Sequence, residues 1–269
     1  MEKLKTAVKK AIIADMRKIL MILGIGILLG QSCEVSVFPC VSGRLNVFAA
    51  QGLVENTAYR LARRSVVRVA AGDACGSGII WEMENERVII AASRHLLRKD
   101  VAAVITFNED VTMSAEILGY SQQYDVGFLA IPAAGIPEEL LRRLCGVRPM
   151  LYDAESEADR SAFAAEYTDR EIMQLGVDSE SGGMGFFQGS ITGIHFVPVF
   201  NTHMLETACY AKAGMSGGGV FDRYGRFLGL ICGGEVAEDA DKREADVTYS
   251  LPPKVIEDEY ALIKEANEE

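Results

Sequence analysis

The 269-residue sequence contains no Cys-x-x-Cys pair, and none of its three histidines stands near one of its six cysteines at metal-ligand spacing. A zinc centre built from local ligands is therefore not expected, and neither a metal nor an organic cofactor is predicted. Basic residues are scarce, 27 Lys and Arg against 38 Asp and Glu, for a net charge of −11. The first fifty residues hold seven Lys/Arg and three Asp/Glu, so residues 51–269 carry 20 basic and 35 acidic groups, a net of −15. A body that acidic repels phosphate backbones and has no basic stripe to release counterions, which excludes nucleic acid as an expected partner. Long apolar runs are missing too. The run from Ile19 to Gly30 is twelve residues, short for a membrane span. No internal repeat is read in the sequence, and no appended binding module is expected within it.

What the N-terminus does contain is a basic stretch, Lys3, Lys5, Lys9, Lys10, Arg17 and Lys18, ahead of that apolar run. The run extends weakly through SVFPCV to about Val41, and Val47-Phe48-Ala49 has the small-residue pattern read by a signal peptidase. Residues 1–49 are read as an export signal or membrane anchor, with attachment through residues 19–41 and an extracytoplasmic location, secreted or anchored. Ser32-Cys33 is a weak match to a lipoprotein cleavage site, because Gly30 stands where Leu is usual. Cys33 and Cys40 fall in this segment; Cys75, Cys145, Cys209 and Cys232 remain in the body, as disulfide partners or as isolated buried thiols.

With 49% hydrophobic residues the chain can bury a real core. Asn56-Thr57 is expected to cap a short basic helix through Arg64. Six β-rich runs separated by turn residues follow: 65–71, 78–83, 87–92, 102–107, 113–120 and 126–131. They predict a small barrel over about 65–132. The stretch 136–144, IPEELLRRL, reads as a connecting helix with Leu140, Leu141 and Leu144 on one face. A second barrel over about 147–251 is expected from strands at 149–152, 189–200, 204–211, 218–221, 226–233 and 247–251. Segments 153–171 and 179–185 read as loops or an insertion, with a short helix possible in the first. Pro252-Pro253 opens a last helix, about 253–267, in which Val255, Ile256, Tyr260, Leu262 and Ile263 would cover a barrel. The predicted fold is all-β, two tandem six-stranded antiparallel barrels forming a single domain over 50–269.

Three places have the residue types that nucleophilic catalysis needs. Gly214-Met215-Ser216-Gly217-Gly218 lies between two strands, where glycines permit the unusual φ values that expose a serine Oγ beside converging backbone N–H groups. His95 follows an apolar strand and precedes a basic turn, a suitable position for a general base with a pKa near neutrality. Asp125 stands at the threshold of the apolar strand VGFLAI, where a partly buried carboxylate needs a strong partner such as the Nδ1–H of His95. His195 and His203 have no such companions in sequence.

The order His, Asp, Ser, each in these surroundings, resembles the trypsin-like (chymotrypsin-fold) serine peptidases, above all the protease domain of the bacterial HtrA/Deg branch without its PDZ domain. CGSGII (75–80) ahead of VIIAASRHLL, YDVGFLAI, and GMSGGGVFDRYGRFLGLICGG resemble that family's GSG turn-strand, TDLAVLKV and GNSGGPLFDLDGRVVGINT. TYSLPPKVI is similar to the segment that closes the family's domain. The resemblance implies His95, Asp125 and Ser216 as catalytic residues and the backbone of Gly214 and Ser216 as the oxyanion hole. It implies Tyr210, Ala211, Lys212, Cys232, Gly233 and Gly234 as walls of a primary substrate pocket, with Tyr210 where trypsin-type pockets have Asp, hence a modest apolar rather than basic side chain before the cleaved bond. The implied activity is a serine endopeptidase acting on exported or misfolded polypeptides through an acyl-enzyme. The alternative is a catalytically inactive relative that binds peptides or partners; a third reading is a structural envelope protein anchored by residues 19–41. Met215 departs from the family's Asn or Asp, Gly219 from its Pro or small residue, and the 91-residue gap from Asp125 to Ser216 implies an insertion around 153–185.

Overall fold

The computed structural model describes residues 51–98, 101–107, 111–179, 181–235 and 244–268. The expected export segment, with Cys33 and Cys40, lies outside the described residues. After helix α1 (Gln51–Arg63) come β1 (Val66–Ala71), β2 (Ala74–Met83), β3 (Arg87–Ala92), β4 (Ala103–Thr106), β5 (Thr112–Tyr120) and β6 (Gly127–Pro132). They close into an antiparallel barrel in the order β1-β2-β3-β6-β5-β4. A short helical turn α2 (Glu138–Leu141) and helix α3 (Glu157–Tyr167) lead to β7 (Glu171–Val177), β8 (Met184–Val197), β9 (Thr202–Lys212), β10 (Gly219–Asp222), β11 (Phe227–Glu235) and β12 (Glu244–Leu251). This second closed barrel runs β10-β11-β12-β9-β8-β7, the same order read backwards. Helix α4 (Pro253–Glu268) ends the described chain.

The two expected barrels are present, and the six first-barrel strands stand close to their predicted places for a physical reason. β3 is buried on both faces: Val88, Ile90 and Ala92 enter the first barrel's core, while Ile89 and Ala91 join a second cluster with Met173, Leu175, Phe221 and Leu230 of the other barrel. Because successive side chains alternate, a strand serving a core and an inter-barrel seam reads as an unbroken apolar run. β6 repeats the arrangement, with Leu129 and Ile131 inward and Phe128 and Ala130 on the seam.

Five expectations need correction, the last of them in the final helix. The first helix starts before Asn56-Thr57, which lie inside it rather than capping it. Of the connecting helix only Glu138–Leu141 forms. Residues 149–152 make no strand beyond one bridge, Pro149 to Phe227; they run as a strap along β11, with the Met150 N–H donating to Phe227 O (2.9 Å) and the Tyr152 hydroxyl to Leu228 O (2.9 Å). The missing strand is β7, EIMQLGV, within the expected insertion. Its burial is nearly continuous, and Gln174 and Gly176 interrupt the apolar signal that would have marked it.

After Pro253, the buried positions of α4 are Ile256 and Tyr260, with Ile263 partly buried against Gly119, spaced by four and then three residues as one helical face requires. Leu262, out of phase, is 60% exposed, contrary to expectation. The helix is fastened to the β2–β3 turn, where Glu84 accepts from Lys264 Nζ (3.0 Å) and Tyr260 Oη (3.3 Å). The hydrogen bond from Arg87, and then Lys264, holds the Glu84 carboxyl below its usual range. Among the described residues Cys75, Cys145, Cys209 and Cys232 form no disulfide.

Candidate active site

His95 is presented by a short 3-10 turn, Arg94–Leu96, directly after β3. The turn is anchored on both sides: Leu96 and Leu97 are buried, and Arg94 donates to Gln122 O (3.1 Å) with its guanidinium over the Tyr120 ring. The imidazole between these anchors stays 49% exposed. Asp125 arrives from the β5–β6 connection, where the Ser121 hydroxyl accepts the N–H groups of Gln123 (3.0 Å) and Tyr124 (2.8 Å) and so shapes the turn.

The carboxylate grips the histidine twice. Oδ1 accepts the His95 backbone N–H (2.9 Å) and Oδ2 pairs with Nδ1 (2.8 Å). An ionised carboxylate only accepts, so Nδ1 carries the proton and Nε2 is left with its lone pair, the tautomer a general base requires. Beneath Asp125 lies Cys232, whose Sγ is directed at the backbone oxygens of Leu230 (3.4 Å) and Asp125 (3.8 Å). Burial, and then the Asp125 charge, push this thiol well above its ordinary pKa, so it is neutral and no rival nucleophile. Its side chain thus lies against Asp125.

The loop carrying Ser216 is bound to the first barrel through β2. Ser77, fully buried, donates its hydroxyl to Gly214 O (2.7 Å) and accepts the Val177 N–H (2.7 Å), while its own N–H donates to Ser216 O (2.8 Å). Approach this close demands glycine. A Cβ at Gly217, where φ is +83°, would stand 2.0 Å from Ser77 O, and one at Gly76 would stand 2.4 Å from a Leu96 methyl and 3.0 Å from Ser216 O. Gly76 therefore has the histidine turn on one side and the serine loop on the other. Ser93, just before that turn, donates to Ile231 O (3.2 Å), the carbonyl that also accepts the Gly217 N–H (2.7 Å). Among the described residues no hydrogen bond joins the Ser216 hydroxyl to His95, and the N–H groups of Gly214 and Ser216 donate to no described acceptor. The Met215 side chain is buried, and its sulfur receives the Lys212 N–H.

The expected pocket residues sit on β9 and β11, with β12 between them and paired to both. Tyr210 meets Phe187 edge-on (4.9 Å between centroids), Ala211 is buried, and Lys212 Nζ lies 3.9 Å from Asp178. Gly234 is closed against Val247 and Ala245 of β12, and Gly233 lies against the Phe200 ring.

Sequence reasoning overlooked Ser77, although it sits in the quoted CGSG; its partners lie 137 and 100 residues away. It also overlooked Val199 and Phe200 of the β8–β9 hairpin. These share a cavity of about 450 Å³ with His95 and Asp125.

A family model described as the trypsin-like peptidase domain matches residues 76–230. Comparison with curated proteins yields no match. Among solved structures, the HtrA-type protease AlgW, determined with a tripeptide, superposes with a TM-score of 0.62 at 14% identity, over 79% of this chain and 64% of that one. A serine endoprotease from Yersinia pestis gives 0.58 at 17%, over 78% and 66%. A serine-to-alanine mutant of Rv3671c from M. tuberculosis H37Rv, in its inactive form, gives 0.57 at 16%, over 79% and 93%. The chain spans just under two thirds of the AlgW and Yersinia chains. At these identities the superpositions establish the fold. The family match runs from the glycine of β2 through the histidine turn, the acidic strand and the serine loop, more than half of the sequence; this chain belongs to the trypsin-like peptidase domain family.

Proposed function

We propose that the protein is a serine endopeptidase whose triad is His95, Asp125 and Ser216. The observation that carries this reading is the double grip of Asp125 on His95, which spends two charge-assisted hydrogen bonds on one ring orientation and one tautomer. Glu155 holds His203 by the same two contacts, so what distinguishes His95 is its place: Gly76 has the His95 turn on one side and the Ser216 loop on the other. His95 Nε2 takes the Ser216 proton as Oγ attacks a peptide carbonyl, and Asp125 stabilises the imidazolium that forms. The oxyanion develops against the N–H groups of Gly214 and Ser216, which the fold leaves without described partners. His95 then returns the proton to the leaving amine, and water releases the acyl-enzyme.

Polypeptide is the substrate class, and exported or misfolded chains are its natural source, reached through export or anchoring by residues 1–49. Tyr210 and the ammonium of Lys212 near the expected pocket favour an uncharged apolar side chain before the cleaved bond over a basic one. A fluorophosphonate probe tests the chemistry: the wild type should be labelled and Ser216→Ala should not. Since among the described residues no hydrogen bond joins the Ser216 hydroxyl to His95, absence of labelling with or without added peptide would overturn the peptidase reading and leave the inactive peptide-binding one to be tested by peptide titration.

A further inference from the structure

Every backbone carbonyl from Ala213 to Ser216 in the serine loop has a donor. Ala213 O accepts the Ser179 N–H (3.0 Å) from the β7–β8 turn, and Met215 O accepts the Gly218 N–H (2.8 Å). The other two belong to Ser77: its hydroxyl donates to Gly214 O (2.7 Å) and its N–H to Ser216 O (2.8 Å). The N–H groups of the loop alternate instead. Those of Met215 and Gly217 donate to Lys212 O (3.1 Å) and Ile231 O (2.7 Å), whereas those of Gly214 and Ser216 donate to no described acceptor.

A peptide group is planar, so holding its oxygen also fixes the direction of its N–H. The two open N–H groups sit on the 213–214 and 215–216 peptides, and the 214–215 peptide lies between them. Its oxygen is the one held by the Ser77 hydroxyl, the single side-chain donor in the set. The direction of that bond is settled by chemistry: the hydroxyl accepts the Val177 N–H (2.7 Å), so its own proton is free only for Gly214 O. Packing leaves little slack, for a Cβ on Gly176 would stand 2.8 Å from Met215 Cα and 3.0 Å from Ser77 Oγ. The seam around Ser77 is built from residues such as Ile89, Ala91, Met173 and Leu175, which pack without a hydroxyl. The polar contacts of this fully buried serine fall on the loop and on the end of β7.

We propose that Ser77 is the positioning residue of the oxyanion hole: by holding Gly214 O and Ser216 O it keeps the open N–H groups of Gly214 and Ser216 turned toward the developing oxyanion. The proposal rests on the endopeptidase reading, which supplies that oxyanion. Without the hydroxyl, Gly214 O and the Val177 N–H would be buried and unpaired, and the 214–215 peptide would turn toward another donor. The first barrel would then govern the oxyanion hole as well as the base, without Ser77 touching a reacting atom.

The test uses the full chain, an internally quenched peptide, and a peptide boronic acid that forms a tetrahedral adduct with the nucleophilic serine. Ser77→Ala removes the donor and Ser77→Cys keeps a weak one of similar shape. Ser65→Ala is the control, a buried serine outside the site whose hydroxyl donates to Ala62 O (2.7 Å). Ser77→Ala should lower kcat about tenfold to a thousandfold with KM nearly unchanged, and weaken boronic acid binding by a similar factor. Ser77→Cys should recover part of the loss, and the midpoint of the pH profile of kcat/KM should stay in place, because the His95–Asp125 pair is untouched. Ser65→Ala should keep the wild-type kcat. A loss through KM alone, a displaced midpoint, or a wild-type kcat in Ser77→Ala would overturn the assignment and leave the peptidase standing. If the wild type neither cleaves peptide nor reacts with fluorophosphonate, the endopeptidase reading falls, and amide hydrogen exchange decides separately whether Ser77 holds the loop. Exchange of the Met215 and Gly217 N–H groups should be about tenfold or more faster in Ser77→Ala and unchanged in Ser65→Ala, and equal rates would refute the hold.

Discussion

The two barrels share a strand order but are filled differently. In the first, Val69, Ile90, Ile105 and Leu129 meet in a dry aliphatic core. The second also encloses Gln174, whose Nε2 donates to Thr207 and Thr248, themselves hydrogen-bonded to each other (2.6 Å), while Gln174 Oε1 and the Ser250 hydroxyl have no described partner. A cluster of that kind stabilises little beyond an apolar filling of equal volume, because each desolvated group must recover what it lost in water. The division extends to the chemistry. The first barrel presents His95 and Asp125 on short anchored turns; the second contributes the glycine loop, the expected pocket walls and the long hairpin.

The sharpest way to break this comparison is to ask whether the barrels act as one catalyst. His95→Ala and Ser216→Ala should each lower kcat by about a million-fold, and the double variant should be no worse than either, because removing one member of a coupled set already abolishes the function of the other. Rates that multiply in the double variant would mean that the two residues work apart. The next effect concerns the cores. Ile90→Ala should destabilise by about 2–5 kcal/mol in urea unfolding, by lost burial and the cavity left behind. Gln174→Leu in the second barrel should change stability by only about 1 kcal/mol either way, since Thr207 and Thr248 keep each other and an unpartnered oxygen is removed. Equal losses would erase the distinction between a dry and a polar core.

The smallest effect belongs to the clasp that fastens α4 to the first barrel. Glu84 has its pKa lowered in the folded state from the usual value near 4.5. Its contribution is therefore complete above that value and disappears as pH falls through the lower folded one. Thermal melts of wild type and Glu84→Gln should differ at pH 6, with the gap closing toward pH 3. A gap that widened on acidification would show that Glu84 does not hold the helix as a carboxylate.

Much of this architecture was legible from residue order. Short apolar runs between turn residues located the first barrel because its strands face either a core or a seam, and both demand the same residues. The second barrel was read less well: β7 has a polar residue at its centre, and the strap at 149–152 is apolar without being a strand. In the candidate site, His95, Asp125 and Ser216 were candidates through their order and surroundings taken together, and the structure joins the first two. Ser77, Glu155 and Phe200 were not found, because what they do depends on neighbours remote in sequence, and nothing in their own surroundings announces it.

The sequence alone determined which side chains could react and which backbone positions could bend: an imidazole after an apolar strand, a carboxylate before another, a serine among glycines. Tertiary structure decided how they are held. Only folding turns Cys232 beneath the acid, brings Ser77 between the two barrels as a shared donor and acceptor, and sets Val199 and Phe200 over the histidine. The reason is that hydrogen bonds and burial act over a few ångströms in space, and a linear pattern carries no record of which distant residues will come that close.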